Sequence, residues 1–313
     1  MNNLRKESVT WAKIDEGSCD QRIDNFLCKH LKGVPKSHIY RILRSGEVRV
    51  NTKRVDQTYR LQLGDHVRIP PVRVAEAQDR DYVPAFEFPV LYEDDALLVI
   101  DKPSGVAVHG GSGVSFGIIE QLRSARPQAK FLELVHRLDR ETSGVLLLAK
   151  KRSALINLHQ QMRDGTNDKR YLCLVLGKWQ NVKQHVKLPL HKFNTQNGEK
   201  RVMVREDGQA SHTIFTLQKN WPEFSLLEAR LKTGRTHQIR VHLSHLGFPI
   251  AGDDKYGDFA RNKELIKQRL KRMFLHAYSI TFAHPLTAEV VRLSAPLPKE
   301  LQEFMDKLDG RCL

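Results

Sequence analysis

The chain contains little cysteine. Its 313 residues include only four cysteines, none of them in a C-x-x-C pair: Cys19, Cys28, Cys173 and Cys312. A disulfide framework or a zinc ribbon needs paired spacings, so this scatter argues against both. We therefore expect reduced thiols and no structural metal.

Long hydrophobic runs are also absent. No stretch of about 18 apolar residues occurs, which is the length that a membrane-spanning helix needs. The first residues, MNNLRKESVTWAKIDEG, lack the apolar centre of a secretory signal. These absences predict a soluble protein of the cytoplasm with no membrane partner.

The common cofactor and nucleophile motifs are missing as well. The sequence has no G-x-x-x-x-G-K-[ST] phosphate loop, no G-x-S-x-G and no H-E-x-x-H. The glycine-rich stretch HGGSGVSFG lacks dinucleotide-binding spacing, and on a helix His237 and His242 would point about 140° apart. We therefore expect no metal and no cofactor, which favours chemistry without net redox change.

Negative charge is in short supply. Lysine and arginine number 51 against 36 acidic residues, which gives a formal net charge of +15 and a pI near 9.7. A strongly basic soluble chain most often binds a polyanion. Nucleic acid is therefore the expected partner, ahead of an acidic membrane surface.

The charge changes sign along the chain. Residues 32–54 hold seven cations and one acid, whereas residues 76–95 hold seven acids and one cation. Several prolines accompany this change, which is typical of a linker. We predict an N-terminal tail (1–14), a small module (15–71), a linker (72–87) and a larger domain (88–313).

The small module is expected to pair two helices with a little sheet. Apolar residues recur at helical spacing in QRIDNFLCKHLKG and PKSHIYRILRSG, and EVRVNTKRV alternates like a hairpin. Cations cluster on the second helix and the hairpin, as a surface that follows phosphates requires. The candidate RNA-binding residues are Lys36, Arg41, Arg44, Arg49, Lys53 and Arg54.

The larger domain mixes strands and helices without a regular strand–helix–strand rhythm. Apolar strands are expected in ALLVIDK, GVLLLAK and RYLCLVL, and helices in SALINLHQQMRDG (with Ser153 as N-cap) and THQIRVHLSHLG. The predicted class is α+β, with mixed α/β content. We expect a large mixed, mostly antiparallel sheet flanked by helices and loops, beside the small αα-β module.

One aspartate stands out in the stretch HRLDRETSG. Asp139 lies between Arg137 and Arg140, and opposite charges within about 4–6 Å hold a carboxylate in its ionised form. Such a group suits a nucleophile or an electrostatic partner better than a general acid. The isolated pattern is more typical of a surface ion pair or a helix cap, so local sequence alone does not establish a catalytic role.

The sequence around HRLDRETSG and several other segments of the chain resemble the RluA-type family of pseudouridine synthases. The resemblance rests on YEDDALLVIDKPSGVAVHGG, HRLDRETSGVLLLAK, KRYLCLVLGKW and LKTGRTHQIRVHLSHLGFPIAGDDKYG. The N-terminal residues RIDNFL, SHIYRILRSGEVRVN and LGDHVRI resemble an S-four-type RNA-binding module. The whole looks most similar to the RluC-type subgroup, which modifies several uridines of 23S ribosomal RNA.

The resemblance implies roles for particular residues. Asp139 would be the nucleophile that helps detach uracil from its ribose. Tyr171 would stack on the flipped base and assist proton removal from its carbon 5, and Arg235 would pair with Asp139. Arg137 would enter the RNA stack in place of the extruded uridine. Residues with structural roles near the site would be Lys102, Pro103, His136 and Gly234.

The resemblance also implies partners and leaves alternatives. The substrate would be 23S ribosomal RNA or an assembly intermediate of the large subunit, and the protein would act as a monomer without a cofactor. A synthase of the same family that acts on tRNA or another rRNA uridine is one alternative. A non-catalytic RNA-binding factor for ribosome assembly is the other, since the small module alone would serve it.

Overall fold

The structure is a computed structural model, and the chain divides into two units, Met1–Val83 and Pro84–Leu313. The division falls within the segment predicted as a linker, of which residues 73–81 lie outside the description, as does Cys312. The residues described are 8–31, 33–72, 82–111, 114–195 and 199–311.

The first unit joins two short helices to a three-stranded sheet. Its apolar core includes the residues that the helical spacing places inward, among them Ile23, Leu27 and Ile39. The segment interpreted as a tail contains strand β1, which pairs with β3 in antiparallel register. The sheet order is β1-β3-β2, and the elements are β1 (Thr10–Lys13), α1 (Ile23–His30), α2 (Lys36–Arg44), β2 (Arg49–Val50) and β3 (His66–Ile69).

The second unit is built on a ten-stranded sheet. Its described elements are β4 (Val90–Glu93), β5 (Leu97–Lys102), α3 (Ile118–Ala125), β6 (Glu133–Leu134), β7 (Ser143–Ala149), α4 (Arg152–Asp164), β8 (Asp168–Leu176), β9 (Lys183–Val186), β10 (Leu190–Asn194), β11 (Lys200–Val204), β12 (Thr213–Asn220), β13 (Phe224–Leu231), α5 (Gln238–His245), α6 (Phe259–Lys267), β14 (Leu275–Ala283), β15 (Val290–Ser294) and α7 (Lys299–Leu308).

The large sheet is mixed and mostly antiparallel. Its order is β4-β5-β7-β14-β8-β13-β12-β9, with β6 on β7 and β15 on β14, and only β7 and β14 run parallel among the described pairs. Buried apolar side chains from β5, β7, β8 and β13 fill the core, packed by α3 and α5. The α+β class and the mixed sheet predicted from sequence are confirmed.

One detail differs from the sequence predictions. Helix α4 begins at Arg152 after Lys151, so Ser153 is inside the helix and makes no N-cap. Within the described residues, no helix has both the length and the apolar character needed to cross a bilayer.

Gly144 allows β7 to approach β14. Its φ is +110°, and a Cβ built there would lie 2.2 Å from the carbonyl oxygen of Ala277. The parallel register sets these two residues opposite each other. Because any side chain would force the strands apart, this position requires glycine. The loop that carries Asp139 ends immediately before this contact.

We expect Gly144→Ala to lower the free energy of unfolding by about 2–4 kcal/mol, because strain at positive φ adds to a backbone clash. Gly165 is the matched control, since its φ is +68° but a Cβ there meets open space. Gly165→Ala should cost only about 1 kcal/mol. Denaturant unfolding of both variants measures this, and equal losses would contradict the clash.

Candidate active site

A cavity of about 580 Å³ opens in the second unit beside the loop before β7. Its walls come from residues 136–142, the end of α4, the start of β8 and residues 231–240. Among the described residues that line it, one carboxylate, Asp139, faces six cations: Arg137, Arg163, Lys169, Lys232, Arg235 and Arg240. Such an excess of positive charge suits an anionic ligand.

The loop that carries Asp139 is held through its backbone carbonyls. The ammonium of Lys102, completely buried, donates to the carbonyl oxygens of Pro103 (2.7 Å) and Arg140 (3.0 Å). Ser104 donates to the carbonyl of Glu141 at 2.8 Å. Burial lowers the pKa of Lys102 to about 7. The DKPSG segment therefore fixes the backbone on the C-terminal side of Asp139, and Lys102 and Pro103 lie beside the site.

The permanent partner of Asp139 is Arg240. The Arg240 guanidinium donates to Asp139 Oδ2 at 3.2 Å, and the Asp139 side chain is 19% exposed. Arg235 was expected in this role, but within the described parts of the chain no ion pair joins it to Asp139. Its side chain is exposed and donates to the carbonyl oxygen of Ala210 at 3.3 Å. The prediction that Arg235 is the ion-pair partner of Asp139 was therefore wrong.

Arg240 is itself fixed by a second carboxylate. It is 3% exposed and makes two 2.7 Å hydrogen bonds to the carboxylate of Asp253, which also accepts from the backbone N–H groups of Lys255 and Tyr256. Burial alone would lower the pKa of Arg240, but Asp253 and then Asp139 raise it above its ordinary value. The guanidinium is thus always charged and rigidly aimed at Asp139.

The sequence neighbours of Asp139 do not neutralise it. Arg137 is exposed at the cavity, and within the described ranges it makes no ion pair with Asp139. Arg140 turns away, where it donates to the carbonyl of Gly105 at 3.0 Å and lies 3.4 Å from Glu141. The pairing that HRLDR suggests locally is therefore replaced by a partner about a hundred residues away.

Tyr171 lies on β8 at the floor of the cavity. Its side chain is buried with the main core. Burial and the charge of Asp139 raise its pKa above the ordinary value, so the phenol keeps its proton at neutral pH. A buried aromatic ring beside a carboxylate is suited to stacking on a planar ligand.

His136 and Gly234 also line the cavity. His136 accepts a hydrogen bond from the backbone N–H of Leu147 through Nε2 at 3.2 Å, and burial lowers its pKa to about 3. The ring is therefore neutral and serves the loop geometry. Gly234 is exposed, and a Cβ there would come within 3.5 Å of the ammonium of Lys169.

His237 is part of the site, although no role was predicted for it. It adopts φ +54° at the start of α5, and its Nε2 lies 3.9 Å from Asp139 Oδ2. Its Nδ1 lies 2.8 Å from the hydroxyl of Tyr256. Burial, the largest influence, lowers its pKa. Its ring therefore completes the wall between Asp139 and Tyr256.

The cations of the first unit form an unpaired surface. Lys36, Arg41 and Arg44 are exposed on α2, and Arg54 donates to the carbonyl of Ser45 at 2.6 Å. Within the described residues, none of the six predicted cations forms an ion pair with a carboxylate. Their charges are therefore available to phosphates, and the six are Lys36, Arg41, Arg44, Arg49, Lys53 and Arg54.

Comparisons with known proteins identify the family to which the chain belongs. A family model described as RNA pseudouridylate synthase matches residues 96–245, and one described as S4 domain matches residues 21–67. A "Ribosomal large subunit pseudouridine synthase C" from Pasteurella multocida is 52% identical over 308 residues, covering 96% of this chain and 94% of its own. The chain belongs to the RNA pseudouridylate synthase family. Members of this family are isomerases.

Other relatives of this pseudouridylate synthase agree. The protein of the same name from Escherichia coli (strain K12) is 52% identical over 309 residues, covering 96% of this chain and 97% of its own. The structure of "Human RNA Pseudouridylate Synthase Domain Containing 4" matches with a TM-score of 0.59 and 25% identity, over 71% of this chain and 93% of the human chain.

Three site residues of this pseudouridylate synthase were missed from sequence: Arg240, Asp253 and His237. The signal for Arg240 lies in its helix, because it is three residues before Leu243 and therefore shares the inward face that Leu243 marks. A cation on a buried face requires a buried acid. The tripeptide GDD in the same sequence motif supplies this acid, which is Asp253.

His242 stabilises the loop before α5 through a buried set of hydrogen bonds. It is fully buried, where the hydroxyls of Ser211 and Thr213 lie 2.8 Å from Nε2 and 3.0 Å from Nδ1. Thr213 accepts from Gln238, whose side-chain oxygen accepts from the backbone N–H of Arg235. Burial lowers the pKa of His242 to about 4. The imidazole is therefore neutral at physiological pH.

We expect acid to destabilise the second unit through His242. Above pH 6.5 the imidazole is neutral in both states, whereas between pH 6.5 and about 4 the unfolded chain binds a proton that the folded chain excludes. Stability should fall by up to about 3 kcal/mol across that window. His242→Gln should have a shallower pH dependence of unfolding, and an unchanged slope would contradict this.

Proposed function

We propose that the protein isomerises uridine to pseudouridine at several positions in 23S ribosomal RNA of the large subunit. The observation that carries the proposal is Asp139, held by the buried Arg240 in a cavity lined by cations. The names of its relatives, their 52% identity along nearly the whole chain, and the S4 domain support this substrate.

The chemistry requires one carboxylate and no net redox change. Asp139 attacks either the sugar carbon that bears the base or the uracil ring, and either route breaks the bond between nitrogen and sugar. The freed base rotates and rejoins through carbon 5, which then loses its proton. Arg240 orients the nucleophile and places a permanent positive charge beside it, because its guanidinium cannot lose its charge at physiological pH.

Tyr171 supplies the surface on which the extruded uracil stacks. Its ring is buried at the floor of the cavity. Its phenol is protonated at neutral pH, since burial raises its pKa. To take the carbon 5 proton, the hydroxyl must therefore pass its own proton on, and Asp139, whose charge acts on the phenol, is the nearby acceptor that the cavity offers.

Arg137 fills the gap that the extruded uridine leaves in the RNA. It is exposed at the cavity and is not engaged by Asp139. A planar guanidinium can stack between bases and hydrogen-bond to their edges at the same time. Extruding a base costs a few kcal/mol, and the cost is least in loops and mismatches.

The S4 unit holds the RNA by its phosphates. The unpaired cations of α2 and the following turn provide this contact, without reading bases. The substrate is free 23S RNA or an assembly intermediate of the large subunit, and the protein acts in the cytoplasm as a monomer. No cofactor takes part.

Pseudouridine mapping tests the proposal. In a strain that lacks the gene, several pseudouridines of 23S RNA should disappear, and the purified protein should restore them on RNA from that strain. An unchanged 23S map with pseudouridines lost from tRNA would instead indicate a pseudouridine synthase that acts on tRNA. Unchanged maps with a defect in subunit assembly would indicate a binding factor without catalysis.

A further inference from the structure

Lys169 is a cation of the cavity to which the proposed mechanism gives no task. It lies on β8 two residues before Tyr171, so both side chains point to the same face of the sheet. Both line the cavity that contains Asp139. At about 3.3 Å per residue, the two positions are about 7 Å apart, which one nucleotide can span.

The ammonium of this lysine makes neither an ion pair nor a hydrogen bond within the described ranges of the chain, although its backbone pairs in the sheet. Its neighbour Arg170, on the opposite face of β8, bonds to Asp168 at 2.8 Å and to Glu228 at 3.2 Å. Arg240 in the same cavity bonds to Asp139 and Asp253. Lys169 is thus the partly buried cation of this site that lacks a counter-charge.

Leaving a buried ammonium unpaired is unfavourable for the free protein. Burial lowers the pKa of Lys169, which reports the same loss of hydration. A charge held in this way gains most when an anion enters and replaces the lost water. Gly234 leaves room beside the ammonium because it has no side chain. A Cβ at this position would already lie 3.5 Å from Lys169 Nζ.

We propose that the ammonium of Lys169 binds the phosphodiester next to the uridine whose base stacks on Tyr171. This inference rests on the proposed function, because it names a contact of the same RNA in the same site. The phosphate group is the anion that the substrate brings closest to the extruded base. Arg163 and Lys232, exposed on the rim, leave the cavity positive enough to accept a second charge beside Asp139.

Removing the charge separates binding from folding. Lys169→Met should lower kcat/KM on a 23S fragment about 10- to 100-fold, the range for a lost hydrogen bond to a charged group. The same variant should unfold at an equal or higher temperature than the wild type without RNA, because an unpaired buried charge is gone. Lys169→Arg should recover part of the activity. Lys151→Met is the control, because Lys151 is an exposed lysine at the N-terminal end of α4. Its kcat/KM should match that of the wild type.

A neutral substrate phosphate identifies the contact. Fragments with a methylphosphonate on the 5′ or 3′ side of the modified uridine lose one negative charge at a defined place. On one of these two fragments, Lys169→Met should cause no loss beyond that of the neutral phosphate itself, whereas Lys151→Met should again have no effect. In addition, log Kd against log salt should become shallower by about 0.7–0.9 in Lys169→Met.

Three results would overturn the inference. If the loss of kcat/KM in Lys169→Met multiplies with the loss from each methylphosphonate, the two changes are independent. The lysine would then contact neither phosphate, and it would bind the base or no part of the RNA. A lower unfolding temperature in Lys169→Met would assign it a structural role. Wild-type turnover in Lys169→Met would remove it from the site. Failure of the wild type to modify unaltered 23S RNA would instead defeat the proposed function.

Discussion

Asp139→Asn is expected to abolish pseudouridine formation while RNA binding survives. The amide is isosteric with the carboxylate but cannot act as a nucleophile, and removing an enzyme nucleophile costs on the order of 10⁴-fold or more in turnover. Release of tritium from uridine labelled at carbon 5 measures turnover, and equilibrium binding to the same RNA measures affinity. Binding should change less than about tenfold, because one buried charge is a small part of a phosphate-dominated interface.

A matched amide substitution checks the assignment. Asp254 also approaches Arg240, at 3.4 Å, but its side chain is 65% exposed. Asp254→Asn should retain turnover within about threefold, since an exposed contact of this kind contributes little. Full turnover by Asp139→Asn would disprove the nucleophile. Equal loss in both variants would show that Arg240, and not the carboxylate at 139, is what the substitutions disturb.

Arg240→Leu is expected to damage both the fold and the reaction. Asp253 is fully buried and would lose its counter-charge, which typically costs about 3–5 kcal/mol. For a unit of this size, the unfolding temperature should fall by roughly 6–20 °C. Asp139 would lose its only described ion-pair partner besides His237, so turnover should fall by at least about 10²-fold.

Two further variants separate these effects. Arg240→Leu combined with Asp253→Asn removes the stranded charge but keeps an acceptor for the N–H groups of Lys255 and Tyr256. It should recover stability without recovering turnover. Arg235→Leu should change stability by no more than about 0.5 kcal/mol, because that side chain is exposed and bonds to one carbonyl. Intact turnover in Arg240→Leu with loss in Arg235→Leu would restore the sequence assignment.

The local elements were predictable because local patterns encode them. The spacing of Ile39, Ile42 and Leu43 determines which face of α2 is buried, and these three side chains are at most 4% exposed. The continuous apolar run of β7 predicts a strand covered on both faces, and all seven of its residues are buried. Strand β1 was missed, since four residues have too little pattern to reveal a partner more than fifty positions away.

The sequence by itself determined the α+β class and the basic character of the chain, and through its motifs it predicted Asp139 in HRLDR as the reactive carboxylate. These follow from composition, periodicity and motif text, all of which are local or additive. Only the tertiary structure decided which arginine holds Asp139. Arg137 and Arg140 are nearer in sequence, and Arg235 lies in the same motif as Arg240, yet α5 turns Arg240 inward between Asp139 and Asp253. The reason is physical: a buried charge pairs with whatever opposite charge shares its desolvated space, and only the packing of distant segments creates that space.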